Sequence, residues 1–173
     1  MVWIYGGLAF LLILSFYYDA RYRIIPNRCT AAGFLYGIAV RCISGGTDGL
    51  LAALSGAAAG FGLMLVLYAI GAVGAGDVKL FGAIGAIAGG EFVLNGALNS
   101  VILAGLIGIG IMAIRKQLVL RLKNAIALLF QIVLLRDIKS AKRYKSTGGA
   151  TFPFMYAVLP AVAVTISYCE PAL

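Results

Sequence analysis

A chain of 173 residues that is 62% hydrophobic and 12% charged, with a mean hydropathy of +1.02, has too little polar surface to cover a water-soluble domain of its size. Its apolar runs lack the two-residue alternation of a barrel, and hydrocarbon forbids unpaired backbone. The sequence therefore predicts an all-α integral membrane protein, a polytopic bundle of about six transmembrane helices forming a single membrane-embedded domain over 1–173. The net charge of +8 is accounted for by membrane topology and does not argue for nucleic acid; three scattered cysteines and no histidine suggest neither a zinc site nor a disulfide framework.

In chain order, the first apolar run covers residues 2 to 18. It lacks a basic n-region and a small-residue cleavage site, so it is read as a retained span and not as a signal peptide. Further spans are predicted at 31 to 43, 50 to 72, 78 to 90, 92 to 114 and 151 to 168, several of them shorter than the usual ~20 residues. Trp3, Tyr17 and Tyr18 fit aromatic belts at the two interfaces. Gly56, Gly60 and Gly62 read as helix-packing positions, and Asn95, Asn99 and Gln131 as interhelical hydrogen-bonders or interface residues. Glu91 falls near an outer loop, and Cys29, Cys42 and Cys169 are read as reduced packing residues. Residues 118–135 could pass for a further span, but that would insert Arg121 and Lys123 and carry the basic stretch RDIKSAKRYK to the outer face. A cytoplasmic amphipathic helix lying at the interface, within a loop at about 115–150, is expected instead.

With these spans, the loops 19–30, 71–79 and 115–150 share one side and hold 13 of the 14 Lys and Arg residues, Arg41 being the exception. The positive-inside rule makes that side the cytoplasm and puts both termini outside. Arg21, Arg23 and Arg28 then act as anchors that meet anionic lipid.

The same topology sets Asp19, at the end of the first span, and Asp77, at the start of the fourth, on one face and at one depth. Alone, Asp19 reads as a solvated helix-end acid and Asp77 as a cap or turn residue. Together they can do chemistry that one cannot. Two close carboxylates cannot both ionise freely, so one pKa rises; one acid can then deprotonate water while its partner protonates a peptide carbonyl. Gly74 and Gly76 are expected to allow positive φ and a close approach of neighbouring backbone beside Asp77. Pro26 and Asn27 are expected to open the second helix, Pro lacking the N–H a helix start would waste and Asn capping it. Lys79 could favour the ionised pair by its charge, or serve only as a topology signal.

DARYRIIPN at 19–27, GAGDVKL at 74–80 and a late FPFMYAVLPAV at 152–162 together resemble the type IV prepilin peptidases, membrane aspartyl proteases of the GxGD type. The small size most resembles the stand-alone prepilin peptidases of tight-adherence (Flp-type) pilus systems. The resemblance implies that Asp19 and Asp77 are the catalytic pair, that water is the nucleophile, and that no metal or organic cofactor is needed. It implies a prepilin substrate with a short basic leader ending in Gly, cut after that Gly at the cytoplasmic face of the inner membrane. Further implied partners are the lipid bilayer and pilus-assembly or secretion machinery; the oligomeric state is left open. Larger relatives carry an N-terminal methyltransferase region, whereas this chain starts at its first span, so no methyltransferase activity is expected. Presenilin-like enzymes share GxGD, and YYD at 17–19 echoes their first motif, but the adjoining IPN and the small size favour prepilin. Two other classes compete with a protease: a small transporter or proton pathway using intramembrane acids, and a non-catalytic scaffold of a secretion system. The absence of a convincing internal repeat and the helix-end placement of both acids weigh against transport.

Overall fold

The computed structural model describes residues 2–114 and 154–169, which form helices joined by short connections. The first helix, α1 (Val2–Tyr22), runs past the predicted end of its span at 18. Nothing in Asp19-Ala20-Arg21-Tyr22 breaks a helix, and Arg21 in the last turn complements the negative end of the helix dipole. The helix stops at Arg23, in the left-handed region at φ 54°, with its N–H bonded to the Asp19 carbonyl at 2.9 Å. Only residues 23–26 connect α1 to α2 (Asn27–Ile70), in place of the longer loop expected over 19–30.

At ~1.5 Å per residue, the 44 residues of α2 would reach about 66 Å if straight, twice the thickness of the hydrocarbon core. They do not run straight. Gly46 takes φ 58° and ψ −132°, a backbone state essentially reserved for glycine, and the helix reverses there. Its neighbours on α3 (Ala75–Ala88) give the direction of each limb. Asn27 meets Lys79 and Gly37 lies on Ala86 and Ile87, so the first limb runs parallel to α3; Gly56 lies on Gly85 and Gly60 on Phe81, so the second runs back. The expected separate segments 31–43 and 50–72 are these two limbs. Arg41, near the reversal, is buried and donates from Nε to the Ile87 carbonyl at 3.1 Å, at the negative C-terminal end of α3.

The second limb of α2 ends at Gly71 (φ 85°), where the N–H groups of Gly71 and Ala72 bond the Tyr68 and Leu67 carbonyls in a Schellman arrangement. Helix α3 follows after a connection of residues 71–74 and is buried from Asp77 to Ala88 except at Lys79. Its small residues make that possible. Added methyl groups at Gly56 or Gly85 would collide with the facing backbone, so the two helices touch main chain to main chain. In lipid, where apolar burial between helices gains little, such close packing is a principal source of association.

Gly89 ends α3, and α4 (Gly90–Ile114) starts directly after it, burying Phe92, Val93, Ala97 and Ser100. The last described helix, α5 (Met155–Tyr168), contains Pro160 and buries Met155, Ala157, Val158, Ala161, Val162 and Thr165. Asn99 donates from Nδ2 to Thr165 Oγ1 at 2.9 Å and also bonds the Tyr168 hydroxyl, while Asn95 meets the Cys169 sulfur. The expected interhelical role of both asparagines is therefore observed. Each such bond contributes on the order of 0.6 kcal/mol in a membrane.

Two units divide the chain. The first comprises Met1–Ala104 and Pro153–Leu173 and holds both acids; of the second, Gly105–Phe152, the described residues are the continuation of α4. Among the described residues, Trp3–Tyr22, Asn27–Ile70 and Gly90–Ile111 are long and apolar enough to cross a membrane. Phe10, Ile13, Leu35, Val66, Ile102 and Leu106 stand exposed on these helices, an apolar exterior suited to lipid contact. The interfacial helix expected over 118–135, its loop over 115–150, and Gln131 lie outside the described residues.

Candidate active site

Asp19 sits in the last turn of α1 and Asp77 in the first turn of α3, each only 8% exposed. Asp19 Oδ2 accepts the Met155 backbone N–H at 3.0 Å, at the start of α5. An edge-to-face contact between Phe16 and Tyr156, with ring centroids 5.2 Å apart, packs α1 on α5 beside that bond. Asp77 Oδ2 accepts the Gly74 N–H at 3.0 Å, the third helical residue reaching back to the N-cap backbone as in one half of a capping box.

The charge of Asp19 bears on Asp77. Asp77 precedes the segment predicted to span at 78–90, and its carboxyl is pushed up to about 6. Burial is the main cause and the negative charge of Asp19 adds to it, while the Gly74 N–H pulls the other way. A carboxyl that titrates near 6 can hold or release a proton close to neutral pH, as general acid–base work requires.

The surrounding motif residues are placed partly as expected. Gly74 has φ −84° and Gly76 lies within the helix, so neither uses the positive φ expected of them; the positive-φ glycines among the described residues are Gly46, Gly71 and Gly89. Close approach explains both positions instead. A methyl group at Gly74 would stand 3.2 Å from Asp77 Oδ2, and one at Gly76 would stand 3.3 Å from Cβ of Ile25, the buried residue before Pro26. Pro26 itself is the N-cap of α2 (φ −63°, ψ 135°), its carbonyl accepting the Cys29 N–H at 3.0 Å. Asn27 is therefore not the cap: it is the first helical residue, and its side chain accepts a 2.8 Å hydrogen bond from Lys79 Nζ. That bond ties the start of α2 to the first turn and a half of α3, at the edge of an apolar groove of about 590 Å³ lined by Phe34, Leu54 and Phe61. Lys79 thus engages Asn27, and the influences on Asp77 are burial, Gly74 and Asp19.

The sequence carried no residue-type signal for the Met155 N–H, because any non-proline residue supplies one. Ile25 was also missed; its burial follows from the shortness of the 23–26 connection, which brings it against Gly76. Among the described residues no three His, Cys, Asp or Glu side chains gather as a metal site would require.

No match was found among curated proteins or among solved structures. The type IV leader peptidase family model matches residues 7–109, well over half of the chain, and its span contains both acids, the IPN turn and the GAGD segment. A protein whose described residues form helices, three of them long and apolar enough to cross a membrane, and which buries two acids at helix ends, thus belongs to the type IV leader peptidase family.

Proposed function

We propose that this protein is a prepilin leader peptidase in which Asp19 and Asp77 form an aspartyl dyad. One carboxylate takes a proton from water, whose oxygen attacks the scissile carbonyl carbon. The partner acid gives its proton to the carbonyl oxygen, and collapse of the tetrahedral intermediate, with a proton returned to the amine, releases leader and mature pilin. The substrate is a type IV or Flp-type prepilin, cut after the Gly that ends its short basic leader. No covalent intermediate forms, and the nucleophile requires no metal.

The observation that carries this reading is the placement of two buried acids at two different helix ends, with burial and the charge of Asp19 both pushing the Asp77 carboxyl up, to about 6. Each binds a backbone N–H through Oδ2, and among the described residues no hydrogen bond occupies either Oδ1. The family places the reaction in leader processing. In the proposed topology the two limbs of α2 count separately, giving six spans with both termini outside. The basic loops then put the dyad at the cytoplasmic face of the inner membrane, where a leader is delivered and where water and an unwound substrate backbone are affordable.

Asp19→Asn and Asp77→Asn test the assignment. Each protein should insert normally and lose leader cleavage of the host's prepilin in a reconstituted assay. Wild-type cleavage by either variant would overturn the dyad.

A further inference from the structure

Helix α5 begins without a cap of its own. Its N-cap residue, Phe154, has no polar side chain, and the Phe154 carbonyl is taken by the N–H groups of Ala157 and Val158 at 2.9 and 3.2 Å. The first-turn N–H of Met155 has no acceptor within the helix, and Met155 is fully buried, so this donor must be satisfied from elsewhere. Asp19 satisfies it, from 136 residues earlier in the chain. The carboxyl group thus lies at the N-terminal end of α5. The dyad's other acid is held differently: Asp77 is bonded to Gly74 of its own helix start, so α3 orients it without help. Asp19 depends on a separate helix.

We propose that Met155 is a positioning residue for the reaction: its backbone N–H holds Asp19 Oδ2, fixing the carboxylate's rotation and leaving Oδ1 for water. Helix α5 thereby becomes part of the catalytic machinery without contributing a side chain to the chemistry. This rests on the reading of Asp19 as catalytic. The acting group is the amide, so the side chain at 155 matters only for packing.

The test replaces Met155 by its α-hydroxy analogue in the full-length protein, turning the amide into an ester and deleting the N–H while keeping the side chain. The same change at Tyr156 is the control, because its N–H carries no hydrogen bond among the described residues. With reconstituted enzyme and prepilin, kcat of the 155 ester should fall at least ~10-fold, the size expected for losing one hydrogen bond to a charged group, with KM unchanged within about twofold. The 156 ester should retain kcat. Equal kcat in the two esters overturns the positioning role. Amide exchange in the unmodified protein supplies a reading that needs no ester: the Met155 N–H should exchange at least ~10-fold more slowly than that of Tyr156, and the protection should vanish in Asp19→Ala. An unprotected Met155 amide in the wild type likewise overturns the proposal. Full cleavage by Asp19→Asn would instead sink the dyad itself, so the two failures are distinguishable.

Discussion

Gly85→Ala probes whether the close contact of α2 with α3 sets the depth of Asp77. The added methyl group would stand 2.6 Å from the Gly56 carbonyl carbon and 3.0 Å from the Ala57 nitrogen, with the Gly56 oxygen nearer still. These are backbone atoms of a packed helix and cannot swing aside as a side chain would. Ordinary contact begins at 3.4 Å, so α3 must retreat by roughly 1 Å. Overpacking of this kind costs about 1–3 kcal/mol, against a gain of about 1 kcal/mol from replacing a helical glycine by alanine. A net loss of up to about 2 kcal/mol is therefore expected. Function should suffer more than stability. Asp77 rides on α3, eight residues before Gly85, and in the proposed dyad a displacement of roughly 1 Å at a reacting group can cost about 100-fold in rate. The assay is leader cleavage by the reconstituted enzyme alongside its thermal unfolding. Gly62→Ala is the control, since a methyl group there meets nothing within 4 Å. Wild-type stability and cleavage in Gly85→Ala, with Gly62→Ala behaving the same, would refute the argument that this backbone contact positions the acid.

Three further outcomes follow from the site. Because the Asp77 carboxyl is raised from 3.8 to about 6, the folded protein holds that proton more tightly than the unfolded chain; the resulting stabilisation is full below pH ~4 and is lost as pH rises through ~6. Unfolding measured from pH 4 to 8 should therefore show Asp77→Asn gaining on the wild type with rising pH, by an amount on the order of 2–3 kcal/mol; parallel curves would contradict the shift. Lys79→Ala removes an exposed hydrogen bond to Asn27 and should cost no more than about 1 kcal/mol, leaving the Asp77 titration in place. A large change in the pH dependence of cleavage would show that Lys79 acts on the proposed dyad after all. For topology, Tyr144→Cys should add nothing to the wild-type labelling by an impermeant external thiol reagent in intact cells, and added labelling would place the basic stretch outside.

The amino-acid sequence by itself determined that this chain enters a membrane as helices, because hydrocarbon tolerates no other way of satisfying so much backbone within apolar runs without alternation. It also singled out Asp19 and Asp77: an acid is costly beside a bilayer, so two of them at helix ends on one face stand out against an apolar background. The apolar runs marked the limbs of α2 as separate segments but did not show that Gly46 makes the reversal within a single run. What tertiary structure decided is of another kind. The helices extend into the expected loops, so both acids sit in helical turns; Asn27 turned from cap to partner of Lys79; and the glycines of GAGD proved to serve close packing and not positive φ. The Met155 amide that holds Asp19 belongs to the same group of facts. Each depends on which backbone groups and small residues meet across helices, and every residue type presents nearly the same backbone, so local composition holds no record of it. Pattern reports what each segment must bury; only packing selects the partner that buries it.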